Sequence, residues 1–330
     1  MRAVVVREHG EPTSPTVEEN WPDPVPGPGE ILVETKAAAA NFVDLLVIGG
    51  TYQFLPPRPF VPGKLPAGIV TALGEGVTRF NAGDRVLTMA EQGGYAQKVA
   101  VSEKLCYALP EAMSFTEAAA FSLAYDTAWF ALRERGRFQP GETVLVLGST
   151  GAVGIAAVQI AHALGAKVLA GVSTPAKADQ VKEAGADAII DLSQPDLKES
   201  LRAQVYAATG GKGADIVLDP LGGDIFDAAL RALAWRGRLV VIGFAAGRIP
   251  SVKANYILVK NIEVTGLQIS DYRKRMPAML DECFRELFEL YEAGKLKVPT
   301  PTTYPLQGFG QALTDIRDRK VRGRAVLLPG

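Results

Sequence analysis

Seven consecutive residues, Gly148-Ser149-Thr150-Gly151-Ala152-Val153-Gly154, repeat glycine at every third position. An apolar run at 143–147 leads straight into them, and helix-forming residues follow from Ala152. This strand, turn and helix setting is the one in which glycines cradle a pyrophosphate. Gly148 suits a tight turn, Gly151 lets the backbone approach a phosphate with no Cβ in the way, and Gly154 lets the helix pack close to its strand. Amides at the helix start then face the phosphates, where the helix dipole favours negative charge. The chemistry expected is dinucleotide binding.

The cofactor's type is read one strand further on. Sites that prefer NAD carry an acid about 20 residues beyond the loop, to bond the ribose 2′-hydroxyl. Here the second strand should end near Gly171-Val172, followed by Ser173, Thr174 and, a few residues later, Lys177, with no carboxylate among them. Hydroxyls and a cation suit the 2′-phosphate of NADP, which a carboxylate would repel. NADPH is the expected cofactor.

Other groups able to do chemistry are few. Asn41 and Asp44 follow the small-residue run 37–40, where a polar pair is unexpected for simple packing. The chain has two histidines, His9 and His162, and two cysteines, Cys106 and Cys283. They offer no paired C-x-x-C spacing, no disulfide framework and no tetrahedral set of soft ligands. No metal is expected, and both histidines read as structural or solvated.

The elements that must position these groups fall into two regions. With 330 residues the chain exceeds what one core usually serves. The first third is rich in proline and glycine, with short β-branched runs at 30–35, 69–72, 85–88 and 95–101, which reads as irregular β structure. From residue 143 six short apolar runs, at 143–147, 167–171, 186–190, 215–219, 238–243 and 263–267, alternate with amphipathic helical segments. Apolar strands covered on both faces make a doubly wound parallel sheet. A long helix is expected over 277–294 and a shorter one over 309–318, before a tail of short strands that rejoins the first region. The balance of 35 basic against 36 acidic residues gives no field for nucleic acid or anionic lipid. With no signal-peptide pattern and no membrane-length apolar run, a cytoplasmic enzyme acting on small molecules is expected, with no nucleic-acid or membrane partner.

An ordered set of further motifs sharpens this reading. Asn41-Phe42-Val43-Asp44, Phe60-Val61-Pro62-Gly63, Gly74-Glu75-Gly76-Val77, Gly83-Asp84-Arg85-Val86 and Gly93-Gly94-Tyr95-Ala96 precede the loop. Asp219-Pro220-Leu221-Gly222-Gly223 and the segment from Gly237 to Phe244 follow it. With these, the whole chain resembles a zinc-independent NADPH:quinone oxidoreductase of the medium-chain dehydrogenase/reductase superfamily. The resemblance implies a Rossmann domain over 123–269 and a chaperonin-10-like (GroES-like) β-barrel substrate domain over 1–122 and 270–330. It implies an active-site cleft between them in which a quinone or other activated enone is reduced. It also implies that Asn41, Asp44 and Tyr52 surround the nicotinamide and substrate, with the Tyr52 hydroxyl as first candidate to stabilise the developing oxyanion and Tyr125 as second. Thr127 is placed near the carboxamide, Gly243, Phe244, Ala245 and Leu267 along the cofactor, and Arg319 near the adenosine phosphate. A homodimer joined through the nucleotide-domain sheets, with 255–266 as the edge, follows from the same source.

Some positions depart from the family pattern. Zinc-dependent relatives carry a Cys and a His-Glu pair where this chain has Asn41 and Lys64-Leu65, and they have a four-cysteine lobe that is missing here. Lys64 also stands where quinone reductases more often have an acidic or small polar residue, and Leu192 replaces a tyrosine that packs near the adenosine phosphate. The run Arg273-Lys274-Arg275, expected to open the late helix as a solvated face, could with Lys64 and Arg248 receive the phosphates of coenzyme A. A short-chain enoyl-CoA or acryloyl-CoA reductase is therefore the second enzymatic reading. A non-catalytic, crystallin-like NADPH-binding protein is the reading of another class.

Overall fold

The computed structural model describes residues 1–321 and 323–330. The chain divides into two compact units, one of residues 1–123, 273–278 and 298–330, the other of residues 124–272 and 279–297.

The first unit begins with strands β1 (Ala3–Val5) and β2 (Thr16–Glu18), an antiparallel pair. Strand β3 (Glu30–Ala40) is followed by the short helix α1 (Phe42–Ile48), then by β4 (Ala67–Leu73), β5 (Arg85–Thr88), β6 (Lys98–Ser102) and β7 (Cys106–Ala108). Helix α2 (Phe115–Trp129) carries the chain onward. In β3 side chains alternate between buried and half-buried as far as residue 36, so Ile31 and Val33 join Val70, Val86, Val99 and Cys106 in one core.

The second unit holds β8 (Thr143–Val146), α3 (Ala152–Ala163), β9 (Lys167–Val172), α4 (Ala178–Glu183), β10 (Ala188–Asp191), α5 (Leu197–Ala208), β11 (Ala214–Asp219), α6 (Gly223–Ala232), β12 (Leu233–Val241), α7 (Ala254–Lys260) and β13 (Glu263–Gly266). All six strands are parallel, in the order β10-β9-β8-β11-β12-β13. The first three strands march one way and the next three the other, so the sheet reverses direction between β8 and β11. Ligands bind at such a switch point, outside the carboxyl ends of the strands. The buried strand residues Leu145, Leu169, Ile190, Val217 and Leu239 pack with Phe226 and Leu201 of the covering helices.

The helix expected over 277–294 is α9 (Pro277–Glu292), and a separate short helix, α8 (Ile269–Arg275), precedes it. The break falls where Pro277 lacks an N–H and starts a new helix. Beyond them, β14 (Thr302–Pro305), α10 (Phe309–Arg317) and β15 (Ala325–Leu328) return to the first unit. There β15 pairs antiparallel with the end of β3, Leu327 opposite Ala38, and parallel with β14. The complete sheet runs β14-β15-β3-β4-β5-β7, with β6 also on β3.

Candidate functional site

In the second unit the glycine loop joins β8 to α3. Gly148 takes a left-handed φ of 59° with the Leu221 side chain against it, and its carbonyl accepts from Gly151 N–H at 2.9 Å. Gly151 caps α3 in an extended conformation, and the helical ladder begins with Ile155 N–H to Gly151 O at 2.9 Å. The amides of Ala152, Val153 and Gly154 therefore precede the first intrahelical bond and point out of the helix start. At Gly154 a Cβ would lie 2.2 Å from Gly148 O and 2.7 Å from Ser149 Cα, so only glycine fits. Ser149 is committed to the scaffold, its hydroxyl donating to Val146 O at 2.6 Å and its N–H to Gly171 O at 3.1 Å. Thr150 lies at the turn between them.

The parallel register brings the other expected cofactor residues to the same edge of the sheet. Asp219 ends β11 opposite Val241, and its carbonyl accepts from Ile242 N–H at 2.8 Å, which sets Gly243, Phe244 and Ala245 just past the end of β12. Leu267 follows β13, donating to Val241 O at 2.9 Å. Ser173 and Thr174 leave β9, with Lys177 closing the single turn Pro175–Lys177 beyond them, and all three are exposed. Leu192 lies buried nearby, its Cδ1 against Gly171.

One buried atom at this edge is unsatisfied within the protein. Asp219 Oδ1 accepts from the N–H groups of Leu221 and Gly222 at 2.8 and 3.0 Å, while Oδ2 is buried with no partner among the described residues. Burial pushes this carboxyl above the usual range. An orphaned acceptor, a glycine cradle and open helix-start amides on one strand edge fit a dinucleotide.

The two remaining expected cofactor residues lie on other elements. Thr127 is buried on α2, 3.4 Å from the Asp126 carboxylate. Arg319 belongs to the first unit, exposed just after α10 with a φ of 58°.

The first unit gathers the second group of residues. Asn41 caps α1, its N–H donating to Asp44 Oδ2 at 2.8 Å and its side-chain amide to Ala39 O at 2.9 Å. The same Asp44 oxygen accepts from the Tyr95 hydroxyl at 2.8 Å. Burial pushes the Asp44 carboxyl up, against the pull of those donors and of the nearby Lys64 charge. Arg324, from the last strand's approach, donates to Asn41 Oδ1 at 2.5 Å. Tyr52 lies beyond α1, its ring edge-on to Phe54, with Lys64 Nζ 5.7 Å from its centroid.

Sequence reasoning missed the ionic centre of this cluster. Lys64 and Arg273 both pair with Glu91, Lys64 at Oε2 and Arg273 at Oε1, the latter at 2.9 Å. The two cations hold Glu91 at about 2 despite its burial. Arg273, expected on a solvated face, is only 2% exposed. Its partner comes from a distant loop, and no local pattern announces it. Arg248 is likewise engaged, with Asp224 at 2.9 Å and Asp227 at 2.6 Å, and Lys274 sits 4.8 Å over the Phe54 ring. Of the cations considered for coenzyme A, Lys64, Arg273 and Arg248 are thus each paired with a carboxylate. Tyr95 was visible only within its glycine motif; Gly63, at a φ of 91°, admits it, because a Cβ there would lie 2.2 Å from Tyr95 Cδ1.

The remaining candidates have scaffold contacts. The Tyr125 hydroxyl donates to Gln159 Oε1 at 3.0 Å. His9 Nδ1 lies 3.3 Å from Ile48 O, and the His162 ring lies against Gly185. Among the described residues no three His, Cys, Asp or Glu side chains converge as for a metal, and no helix is long and apolar enough to cross a membrane.

Known proteins share this architecture throughout. A family model described as zinc-binding dehydrogenase matches residues 152–285, and one described as the alcohol dehydrogenase GroES-like domain matches residues 27–111. The quinone oxidoreductase-like protein 2 homolog of Nematostella vectensis is 36% identical over 329 residues, covering 99% of this chain and 88% of that one. The structure of Escherichia coli quinone oxidoreductase complexed with NADPH is 33% identical, with a TM-score of 0.90 over 100% of both chains. That of a Pseudomonas syringae pv. Tomato DC3000 quinone oxidoreductase is 32% identical, with a TM-score of 0.91 over 99% of each. A Rossmann sheet with its glycine loop, a GroES-like unit and full-length similarity together identify the chain as a member of the quinone oxidoreductase-like family of the medium-chain dehydrogenase/reductase superfamily.

Proposed function

We propose that this chain is an NADPH-dependent reductase of quinones or other activated enones that works without zinc. The observation that carries the reading is the strand edge that holds both the 148–154 loop and Gly243, Phe244 and Ala245, with Ser173, Thr174 and Lys177 after β9 and no carboxylate among them. The E. coli relative complexed with NADPH supports the same cofactor. The residues at the zinc-ligand positions, Asn41 and Lys64, argue for chemistry without that metal.

In this reading the amides of Ala152, Val153 and Gly154 bind the pyrophosphate, and Ser173, Thr174 and Lys177 bind the 2′-phosphate. Gly243, Phe244, Ala245 and Leu267 line the cofactor, while Thr127 and Arg319 take its carboxamide and its adenosine phosphate. The bound cofactor supplies a hydride to an electron-poor carbon. Asp44, held by Tyr95 and the Asn41 N–H, fixes the start of α1 and with it the Asn41 amide, and Asn41, Asp44 and Tyr52 are the proposed catalytic residues. A second copy of the chain pairs along the edge strand β13.

The test is a fluorescence titration with NADPH and NADH, followed by initial rates with ortho-quinones, para-quinones, simple enones, crotonyl-CoA and acryloyl-CoA. Tighter NADPH binding with quinones or enones as the fastest acceptors is expected. Fastest reduction of the thioesters would favour the enoyl-CoA reading, and binding with no turnover the non-catalytic one. Failure to bind either nucleotide would overturn the proposal.

A further inference from the structure

Asp219 closes β11 and is fully buried. Its two carboxyl oxygens have different surroundings. Oδ1 accepts from the N–H groups of Leu221 and Gly222 and so shapes the turn 219–223, while Oδ2, sealed from solvent, has no partner among the described residues. That turn holds the nucleotide edge from two sides. On one side the Leu221 side chain packs at Gly148, where a Cβ would lie 3.0 Å from Leu221 Cδ2. On the other, Ala245 N–H donates to Pro220 O at 3.1 Å, Ala246 N–H to Leu221 O at 2.9 Å and Gly223 N–H to Arg248 O at 3.0 Å. The start of the glycine loop and the segment from Gly243 to Ala245 are thus set by one buried carboxyl.

An ionised Asp219 would keep charge on an oxygen that nothing stabilises, whereas a neutral acid leaves only a hydroxyl unpaired, which costs far less. No cation among the described residues offsets the charge. Strand β8, the stretch 147–154 and the facing end of β12 carry no titratable side chain, and Asp224 and Asp227 of α6 pair with Arg248 of the neighbouring turn. Burial accordingly pushes the carboxyl above its usual range. The phosphates of a dinucleotide would bring further negative charge to the same edge. Resting on the nucleotide-binding reading above, we infer that Asp219 positions this edge as a neutral acid, and that binding of the dinucleotide fixes a proton from solvent on Oδ2. Like charges on one strand edge disfavour each other, so phosphate binding and protonation of Asp219 favour each other by the same factor. Once ionised, Oδ2 is drawn towards water and loosens the turn that seats Leu221 and Ala245.

The experiment is calorimetric titration of the full-length protein with NADPH between about pH 5 and 9, in pairs of buffers that differ in ionisation enthalpy, which counts the protons taken up on binding. Asp219→Asn keeps an acceptor for Leu221 and Gly222 but cannot ionise, so the difference between the two proteins cancels every other titrating group, the 2′-phosphate included. The unsubstituted protein should take up more protons than Asp219→Asn, by up to about one per NADPH, and its affinity relative to Asp219→Asn should fall by up to about tenfold per pH unit as the pH rises above the free carboxyl's pKa. Asp219→Leu removes the acceptor and should weaken NADPH about tenfold or more at every pH, a loss that Asp219→Asn recovers in part. Equal proton uptake and equal pH dependence in the unsubstituted protein and Asp219→Asn would overturn the inference, and unweakened binding by Asp219→Leu would remove the positioning role. Should Asp219→Leu misfold, the comparison with Asp219→Asn decides without it. Failure of the unsubstituted protein to bind NADPH at any of these pH values would instead sink the nucleotide-binding reading itself.

Discussion

Arg273 Nη1 donates to Glu91 Oε1 at 2.9 Å across 182 positions of sequence, so a loop of the early chain is bound ionically to the end of α8. Glu91 is held at about 2, below its ordinary 4.5, by Arg273 and Lys64. A depressed carboxyl stabilises the fold fully above its unfolded value and loses that contribution as pH falls towards the folded one. Glu91→Gln should therefore cost about 3 kcal/mol at neutral pH, and the gap to the unsubstituted protein should narrow as the pH is lowered from about 5 towards 2. Urea unfolding at several pH values measures it, and a gap independent of pH would contradict the assignment.

Two glycines of the loop should respond differently to substitution. At Gly154 an added Cβ would meet Gly148 O at 2.2 Å, so Gly154→Ala should lower stability by about 1–3 kcal/mol and weaken NADPH as the helix is pushed off its strand. At Gly151 the nearest atom would be 3.3 Å away and the backbone is extended. Gly151→Val should keep the unfolding midpoint yet abolish NADPH binding, through a side chain in the phosphate's place. Thermal unfolding and fluorescence titration on both variants check the pair, and unchanged NADPH affinity in Gly151→Val would refute the loop's role.

Nucleotide preference should reverse at the end of β9. Ser173→Asp sets a carboxylate where the 2′-phosphate is proposed, which should weaken NADPH about tenfold or more while sparing NADH. Competitive titration of the two nucleotides reads the ratio directly. Equal weakening of both would place the 2′-phosphate elsewhere.

Association should depend on the exposed face next to β13. Leu258 and Val259 of α7 are 78% and 74% exposed, and β13 ends the sheet with one side unpaired among the described residues. Leu258→Asp should convert a dimer into a monomer in sedimentation velocity with NADPH binding retained. A protein that sediments as a monomer before substitution would remove this proposal.

The six strands of the nucleotide sheet were each legible in the right order, most within two residues at either end, while β12 begins five residues before its apolar run. Strands buried on both faces need continuous apolar runs, and 143–147 contains little else. Strand β3 was legible only to residue 35, because the run 36–40 has no β-branched residue. Pairing with β4 and β15 makes it a strand, which is tertiary structure overriding propensity. The Asn41 and Asp44 pair was visible because a polar pair stands out after the small-residue run 37–40. The trio of Lys64, Glu91 and Arg273 had no such signal. Each reads alone as a surface charge, and only the fold removes them together from water.

The pairing of β15 with β3 has a consequence for how the protein comes into being. Translation makes residues 38–40 nearly three hundred positions before residues 325–327, their hydrogen-bonding partners. While the ribosome is still producing the entire nucleotide-binding sheet, the rim of the first unit stays open, with unsatisfied peptide groups on a flat alanine-rich edge. Such an edge invites pairing with a neighbouring nascent chain until the last strand arrives to cover it.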